Sequence, residues 1–188
     1  GDAYAHGNHQ TAAAEANNNS VTVTSNSTVE DDIYGGRAYV EGNQTGAAEA
    51  NGNSVTVSGS TVNGDIFGGY ADTHYGTQNT EYATGNTVTL TGNYTIDGTS
   101  LYGGYDEGNE DFASGPNDDL FSGNTLNLDA RKVATTRVEK VANFETINIR
   151  AGNINNGDTV LQTSGTILGN GKTGAEAKGT TVNLISIE

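Results

Sequence analysis

A chain of 188 residues in which 33% are hydrophobic and 27 are glycine cannot bury a large globular core. Its formal net charge is −15, and Arg37 is the only basic residue before Arg131, whereas most of the acidic residues lie in that part of the chain. We therefore expect no binding to nucleic acids or anionic membranes. The absence of cysteine excludes disulfide scaffolds and thiolate metal sites, and no apolar run reaches the roughly 18 residues of a membrane helix.

Two short units alternate along the chain at a nearly constant spacing. The first reads Asn-Ser-Val-Thr-Val and recurs in related form at 19–23, 53–57, 86–90 and 124–128. The second reads Ile-Tyr-Gly-Gly and recurs in related form at 33–36, 66–69 and 101–104. The segment 1–4 matches the segment 36–39, so we expect further repeats before the first residue. Self-similarity at this period is typical of solenoid proteins.

Apolar and small polar residues alternate within the first unit, which is the period of a β-strand. A third short element, around Val62, lies between the two units. We therefore predict an all-β fold, a parallel β-helix or β-solenoid with three short strands in each coil. Coils stacked about 4.8 Å apart place like residues over like. The predicted core column contains Val21, Val55, Val88 and Leu126.

The asparagine that opens each first unit follows a residue that tolerates a positive φ, as expected at a turn. These preceding residues are Asn18, Gly52, Gly85 and Gly123. Stacked asparagines can also form hydrogen bonds along the solenoid axis.

The later part of the chain indicates how long a bare coil is. After 124–128 the first unit returns at 145–149, a much shorter step than any upstream, and we predict a last rung at 180–184. The longer steps upstream then imply insertions at 37–51, 70–84 and 105–122, which we interpret as long surface loops at one corner. We predict regular repeats with acidic loop insertions over 1–130, and degenerate continuing coils or a C-terminal cap of the same solenoid over 131–188.

Three aromatic residues, Tyr34, Phe67 and Tyr102, each follow an inward-facing Ile or Leu. We predict that they stack as a ladder on the outer surface. Such a ladder can stabilise the coils by self-stacking, or it can bind a ligand such as a carbohydrate.

Acidic residues cluster in the third predicted loop, and a bound calcium ion is one of two interpretations of this cluster. The candidate ligands are Asp106, Glu107, Glu110, Asp111, Asp118 and Asp119. Their spacing matches neither the EF-hand loop nor the calcium-roll nonapeptide, so a solvated acidic loop is the alternative. We predict no other cofactor, and no metal site at His6, His9 or His74.

The units Gly-Asn-Thr-Val-Thr-Leu at 85–90 and Ile-Phe-Gly-Gly-Tyr at 66–70, with Val-Ala-Asn-Phe-Glu-Thr-Ile-Asn-Ile at 141–149, resemble the passenger repeats of bacterial type V secreted autotransporter adhesins. The resemblance covers most of the chain. It implies a right-handed parallel β-helix outside the cell, secreted or at the surface, with an outer-membrane barrel anchor in the parent protein. It also implies a stalk that serves in adhesion or aggregation, whose partner is a host or bacterial surface protein or glycan, or a second copy.

We predict a non-catalytic protein and keep two alternatives open. Parallel β-helices also host polysaccharide lyases and hydrolases, which need converging carboxylates, or calcium with a basic residue. Arg37 is the only basic residue before Arg131, and fold analogy alone supports this alternative. The second alternative is an ice-binding solenoid, in which Thr22, Thr56 and Thr89 form an outward column that ends at Asn127.

Overall fold

The computed structural model describes residues 1–7, 12–42, 45–74, 78–96, 98–106, 122–132, 136–152, 159–168 and 179–186. Nearly all of the secondary structure in these ranges is parallel β-strand, and the strands form a β-solenoid. A 3-10 turn spans Ala130–Lys132. The described part of the chain has no helix with the length and hydrophobicity needed to span a membrane.

The strands follow one another in an order that defines the coils. The first three coils have four strands each, namely β1 (Asp2–Gly7), β2 (Ala12–Glu15), β3 (Ser20–Thr24), β4 (Thr28–Val29), β5 (Ile33–Gly42), β6 (Thr45–Glu49), β7 (Ser54–Ser58), β8 (Thr61–Val62), β9 (Ile66–His74), β10 (Gln78–Tyr82), β11 (Thr87–Thr91) and β12 (Thr95–Ile96). The later coils have two described strands each, namely β13 (Leu101–Tyr105), β14 (Thr125–Asp129), β15 (Thr136–Phe144), β16 (Thr146–Ala151), β17 (Leu161–Leu168) and β18 (Thr181–Ser186).

Equivalent strands of successive coils pair in parallel and build four sheets. Sheet A contains β1, β5, β9, β13, β15 and β17, and sheet C contains β3, β7, β11, β14, β16 and β18. Sheet B contains β2, β6 and β10, and sheet D contains β4, β8 and β12. In sheet C the column Val21, Val55, Val88 and Leu126 is in register and continues through Ile147 to Val182. The predicted solenoid and its core column are therefore confirmed.

Two of the three predicted surface loops were wrong, because they are strands. The segment 37–42 continues β5 and the segment 45–49 forms β6, while 70–74 continues β9 and 78–82 forms β10. The first three coils therefore have four strands where three were predicted. Small apolar residues alternate in these segments, as at Ala38 and Val40, and pack inwards against sheet B. The third predicted loop, at 105–122, lies largely outside the described residues.

Each of the early coils has two lobes with separate cores. The main core lies between sheets C and D and the first half of sheet A, and it holds branched residues such as Ile66, Val88 and Leu126. The alanine core lies between sheet B and the second half of sheet A, where Ala48 and Ala71 are typical members. Because alanine is small, the two walls of this second lobe can lie close together.

The lobes meet at a narrow waist formed by the paired glycines of sheet A. A Cβ atom on Gly36 or Gly69 would lie 2.5 Å from the side-chain nitrogen of Asn53 or Asn86 respectively. A Cβ on Gly68 would lie 2.9 Å from the Cβ of Asn86. The second unit therefore carries glycine because its backbone passes directly against the asparagines that open sheet C.

Side-chain ladders tie the coils together at the corners, where strand pairing is interrupted. The backbone N–H groups of Asn19, Asn53 and Asn86 each donate to the Oδ1 atom of the equivalent asparagine in the next coil, at 2.8 Å. A second ladder runs in the opposite direction, with the N–H of Asn51 donating to Asn17 Oδ1 at 2.7 Å. The preceding turn residues Asn18, Gly52, Gly85 and Gly123 have φ values of 57°, 66°, 64° and 71°, which confirms the predicted turns.

Candidate functional site

The outer face of sheet A is bent at the paired glycines, and aromatic side chains fill the bend. Tyr34, Phe67 and Tyr102 stack along the solenoid axis, with successive ring centroids 4.9 Å apart and planes within 5° of parallel. A second column on the other side of the bend contains Tyr70 and Tyr105, whose centroids are 5.3 Å apart. We call these five residues the aromatic cluster.

The two columns meet edge to face and bury one another. Phe67 lies 5.0 Å from Tyr105 at an interplanar angle of 76°, the geometry that the charge distribution of aromatic rings favours. Phe67, Tyr70 and Tyr102 are 5%, 6% and 7% exposed although they point away from the main core. The cluster is therefore a third apolar core on the outside of the solenoid.

Two cations flank the aromatic cluster. The guanidinium carbon of Arg37 lies 5.4 Å from the ring centroid of Tyr34 and 5.2 Å from that of Tyr70. At the other end, Lys140 Nζ lies 5.8 Å from the ring centroid of Tyr102. These distances fall within the range of cation–π attraction.

This packing limits how the predicted ladder of Tyr34, Phe67 and Tyr102 can bind a ligand. The middle ring is covered on both faces by its neighbours, so a ligand would reach ring edges only. Tyr34 is half-buried and donates its hydroxyl hydrogen to Asp32 Oδ2 at 3.1 Å. Burial, followed by this hydrogen bond, raises the pKa of Tyr34 to about 12. A binding role for the three residues stays a prediction.

A separate aromatic column on the same face is open to solvent. Tyr4 and Tyr39 are stacked with centroids 5.6 Å apart and planes 9° from parallel, and His74 lies 6.4 Å from Tyr39. Tyr4 is 62% exposed. Sequence reasoning missed Tyr39 because the segment 37–51 was taken for a loop, and with it Tyr4, the equivalent residue of the first coil. The match between 1–4 and 36–39 places a tyrosine at the same point of each segment and was the available signal.

The predicted acidic site lies mostly outside the described residues, which include Asp106 but not Glu107, Glu110, Asp111, Asp118 or Asp119. Asp106 is 2% exposed and so is not part of a solvated surface. No group of three or more His, Asp or Glu side chains in the described ranges could hold a metal ion. Calcium binding by the full cluster stays a prediction. His74 is exposed, while His9 and the side chain of His6 lie outside what the structure describes.

A partly buried carboxyl stands at the third coil of the alanine core. Glu81 is in register with Ala48 and Ala14, and the hydroxyl of Thr73 donates a hydrogen bond to its Oε1 atom. Burial raises the pKa of Glu81 to about 7, and the negative charges of Asp106 and Asp72 contribute less. This carboxyl therefore titrates near neutral pH.

We expect the melting temperature to decrease as the pH rises from 4.5 to above 7. The pKa of Glu81 is about 7 in the folded state against an ordinary 4.5, so the folded state binds this proton more tightly than the unfolded state does. The stabilisation from this proton is complete below pH 4.5 and is lost as the pH rises through 7. Glu81→Gln keeps the hydrogen bond with Thr73 and should remove this part of the pH dependence in thermal melts. Glu15→Gln, which changes an exposed carboxyl of β2, is the control. Parallel pH profiles for the Glu81→Gln variant and the wild type would contradict the assignment.

The outer face of sheet C presents two columns of polar side chains. One column has a hydroxyl on all six rungs, at Ser20, Ser54, Thr87, Thr125, Thr146 and Thr181. The neighbouring column starts with Thr22, Thr56 and Thr89 and continues with asparagines. Asn148 Nδ2 donates to Asn127 Oδ1 at 2.9 Å, and Asn183 Nδ2 donates to Asn148 Oδ1 at 2.8 Å.

Comparison with known protein families, with curated proteins and with solved structures finds no match for this chain.

Proposed function

We propose that the chain is a non-catalytic segment of a bacterial autotransporter-like adhesin, displayed outside the cell at the surface or after secretion. The observation that carries the proposal is the in-register stack of six rungs in sheets A and C. Outer side chains of successive coils recur at a fixed spacing along one axis, as a stalk with a repeated binding face requires. The corner ladders of asparagine hold this spacing where strands are absent.

The charge of the chain restricts the partners of such an adhesin. The net charge is −15, and Arg37 is the only basic residue among the many acidic residues before Arg131. Two copies side by side therefore repel each other at low salt. A protein or glycan on a host or bacterial surface therefore fits better than self-association. Self-association, if it occurs, needs high salt or a bridging cation.

Beads coated with the chain test this function. We expect coated beads to adhere to host epithelial cells or to bacterial cells, and to bind more strongly than beads coated with Leu126→Asp. That variant places a charge in the main core while leaving the outer face unchanged in sequence. Equal adhesion by both kinds of bead, or none by either, would contradict the proposal. Clumping of beads only at high salt would show that the partner is a second copy of the chain.

Ice binding is a second candidate, which the hydroxyl column of sheet C favours. The column continues over six rungs, whereas the sequence pointed only to Thr22, Thr56 and Thr89. A regular array of hydroxyls on a flat sheet can order water. Inhibition of ice recrystallisation by the wild-type chain, lost in Thr87→Lys, would support this candidate, and no inhibition would remove it.

A further inference from the structure

A cavity lies on the outer face of sheet C, in the later coils of the solenoid. Its volume of about 490 Å³ falls within the roughly 300–1,000 Å³ of pockets that hold small molecules. Its lining includes pairs of side chains on three successive rungs, namely Thr89 and Thr91, Asn127 and Asp129, and Asn148 and Arg150. We propose that it binds an acidic glycan, with a sugar carboxylate on Arg150 and sugar hydroxyls on the side-chain amides. The inference rests on the proposed function, because it names the ligand class of the adhesin.

The opening of this cavity to solvent does not depend on where the chain begins or ends. The strands β11, β14 and β16 carry these side chains, and each of them is paired with another strand on both sides. A coil added at either end of a solenoid stacks along the axis and leaves the outer faces of the inner strands open. The cavity is therefore a property of the folded coils themselves.

The floor of the cavity is a column of side-chain amides whose orientation is fixed before a ligand arrives. Asn148 Nδ2 donates to Asn127 Oδ1 at 2.9 Å, and Asn127 Nδ2 donates to the hydroxyl of Thr89 at 3.4 Å. Each amide uses one of its two N–H bonds in this column and keeps a lone pair on its oxygen. Groups that both donate and accept match sugar hydroxyls, which do the same. Because the amides are already ordered, little conformational freedom is lost on binding.

The spacing of this amide column favours a glycan over a peptide. The amides repeat once per coil, about 4.8 Å apart along the solenoid axis. One pyranose unit of an extended glycan has a similar length, so consecutive sugars can meet consecutive rungs. A peptide strand instead presents side chains on one face about 6.6 Å apart. Among the described residues that line the cavity none is aromatic, so the anchors typical of a protein interface are missing there.

Arg150 supplies a positive charge at the edge of the amide column. Its side chain is exposed, and it forms no ion pair with any of the described residues. The neighbouring carboxylate of Asp129 is bound by Arg131, whose Nε donates to Asp129 Oδ1 at 2.7 Å. Hydrogen bonds from Arg131, together with the charge of Arg150, hold the pKa of Asp129 below its ordinary value. Two guanidinium groups thus accompany one carboxylate, and the planar fork of Arg150 matches the carboxylate of a ligand.

The charge of the surrounding chain permits an acidic ligand at this place. The acidic excess lies before Arg131, whereas seven basic and five acidic residues follow from Arg131 onwards. Charges farther away than about 8 Å are largely screened at physiological salt, so the two guanidinium groups dominate locally. A neutral glycan would bond to the amides but would leave Arg150 unpaired.

A heteronuclear NMR titration of the whole chain with digalacturonate tests the site. The dimethyl ester of digalacturonate has the same rings without the charges and is the matched ligand control. We expect digalacturonate to bind with a Kd of about 1 mM and to shift the side-chain amide resonances of Asn127 and Asn148. The ester should bind at least about tenfold more weakly. The pair of 3′-sialyllactose and lactose shows whether the carboxylate belongs to a sialic acid instead of a uronic acid.

Three variants locate the charge that the ligand needs. Arg150→Gln should weaken the binding of digalacturonate at least about tenfold, because it removes a pair of charge-assisted hydrogen bonds. Asp129→Asn should strengthen binding by about threefold, since it removes the negative charge of the cavity and leaves both guanidinium groups. Arg137→Gln removes an exposed arginine from sheet A and should bind as the wild type does. Thermal melts establish that each variant is folded.

Several results would overturn the inference. These are no binding of either acidic ligand, equal binding of digalacturonate and its ester, shifts that avoid Asn127 and Asn148, and equal losses in Arg150→Gln and Arg137→Gln. The bead assay separates this inference from the proposed function. Adhesion by a wild-type chain that binds no acidic sugar would remove the site and leave the adhesive function. Sugar binding without adhesion would do the reverse, and a chain that shows neither would remove both.

Discussion

Val88→Asp is expected to lower the free energy of unfolding of the solenoid by more than about 4 kcal/mol. Val88 is fully buried in the main core, in register between Val55 and Leu126. An aspartate there must either remain charged without a partner or take up a proton, and both states are costly in an apolar environment. Circular dichroism and urea unfolding would measure the loss.

Thr89→Asp is the matched control for Val88→Asp. It introduces the same charge one residue later, on the outer face of the same strand, and should cost no more than about 1 kcal/mol. Hydrogen exchange adds a second readout, because each coil of a solenoid depends on its neighbours. We expect protection in the Val88→Asp variant to be lost first in β7, β11 and β14. An unchanged urea midpoint would show that the column around Val88 is not a packed core.

The sheet C rungs and the solenoid could be predicted from sequence because their core residues are branched and alternate with small polar ones. The strands of the alanine lobe could not be predicted in this way. Alanine is a poor strand former, and segments rich in alanine, glycine and acidic residues are also common in loops. Ala48 and Ala71 form a core only because sheet B lies close to sheet A, a distance that no local pattern encodes. Glu81 was missed for the same reason, as its neighbours in the column are alanines of other coils.

The aromatic cluster shows a second limit of sequence reasoning. Phe67 and Tyr70 are three residues apart, and in a regular strand they would point to opposite faces. The bend at the intervening glycines turns them towards each other, with ring centroids 6.0 Å apart. Period-two patterning could therefore identify the column of Tyr34, Phe67 and Tyr102 but not the second column that buries it. Tyr39 was missed because its segment was interpreted as a loop, and Tyr4 is the equivalent residue of the first coil.

Gly69→Ala is expected to destabilise the chain by about 3 kcal/mol or more, an unusually large effect for one added methyl group. The new Cβ would overlap the backbone carbonyl oxygen of Ala50 and would lie 2.5 Å from Asn86 Nδ2. Ala50 cannot retreat easily, because its N–H donates to the carbonyl of Tyr82 at 2.7 Å. Asn86 is fixed as well, since it accepts from the N–H of Asn53 and donates its own N–H to Asn124.

The control for this substitution is Gly152→Ala. A Cβ at Gly152 would meet no atom within 4 Å, so its effect should stay within about 0.5 kcal/mol. Urea unfolding of both variants gives the two free energies, and amide NMR shifts of Asn53 and Asn86 report whether the ladder moves. If Gly69→Ala is as stable as Gly152→Ala, the waist is loose and the glycines are not required by packing. If the amide resonances of Asn53 and Asn86 shift while the solenoid stays folded, the added methyl group has displaced the asparagine ladder at the waist.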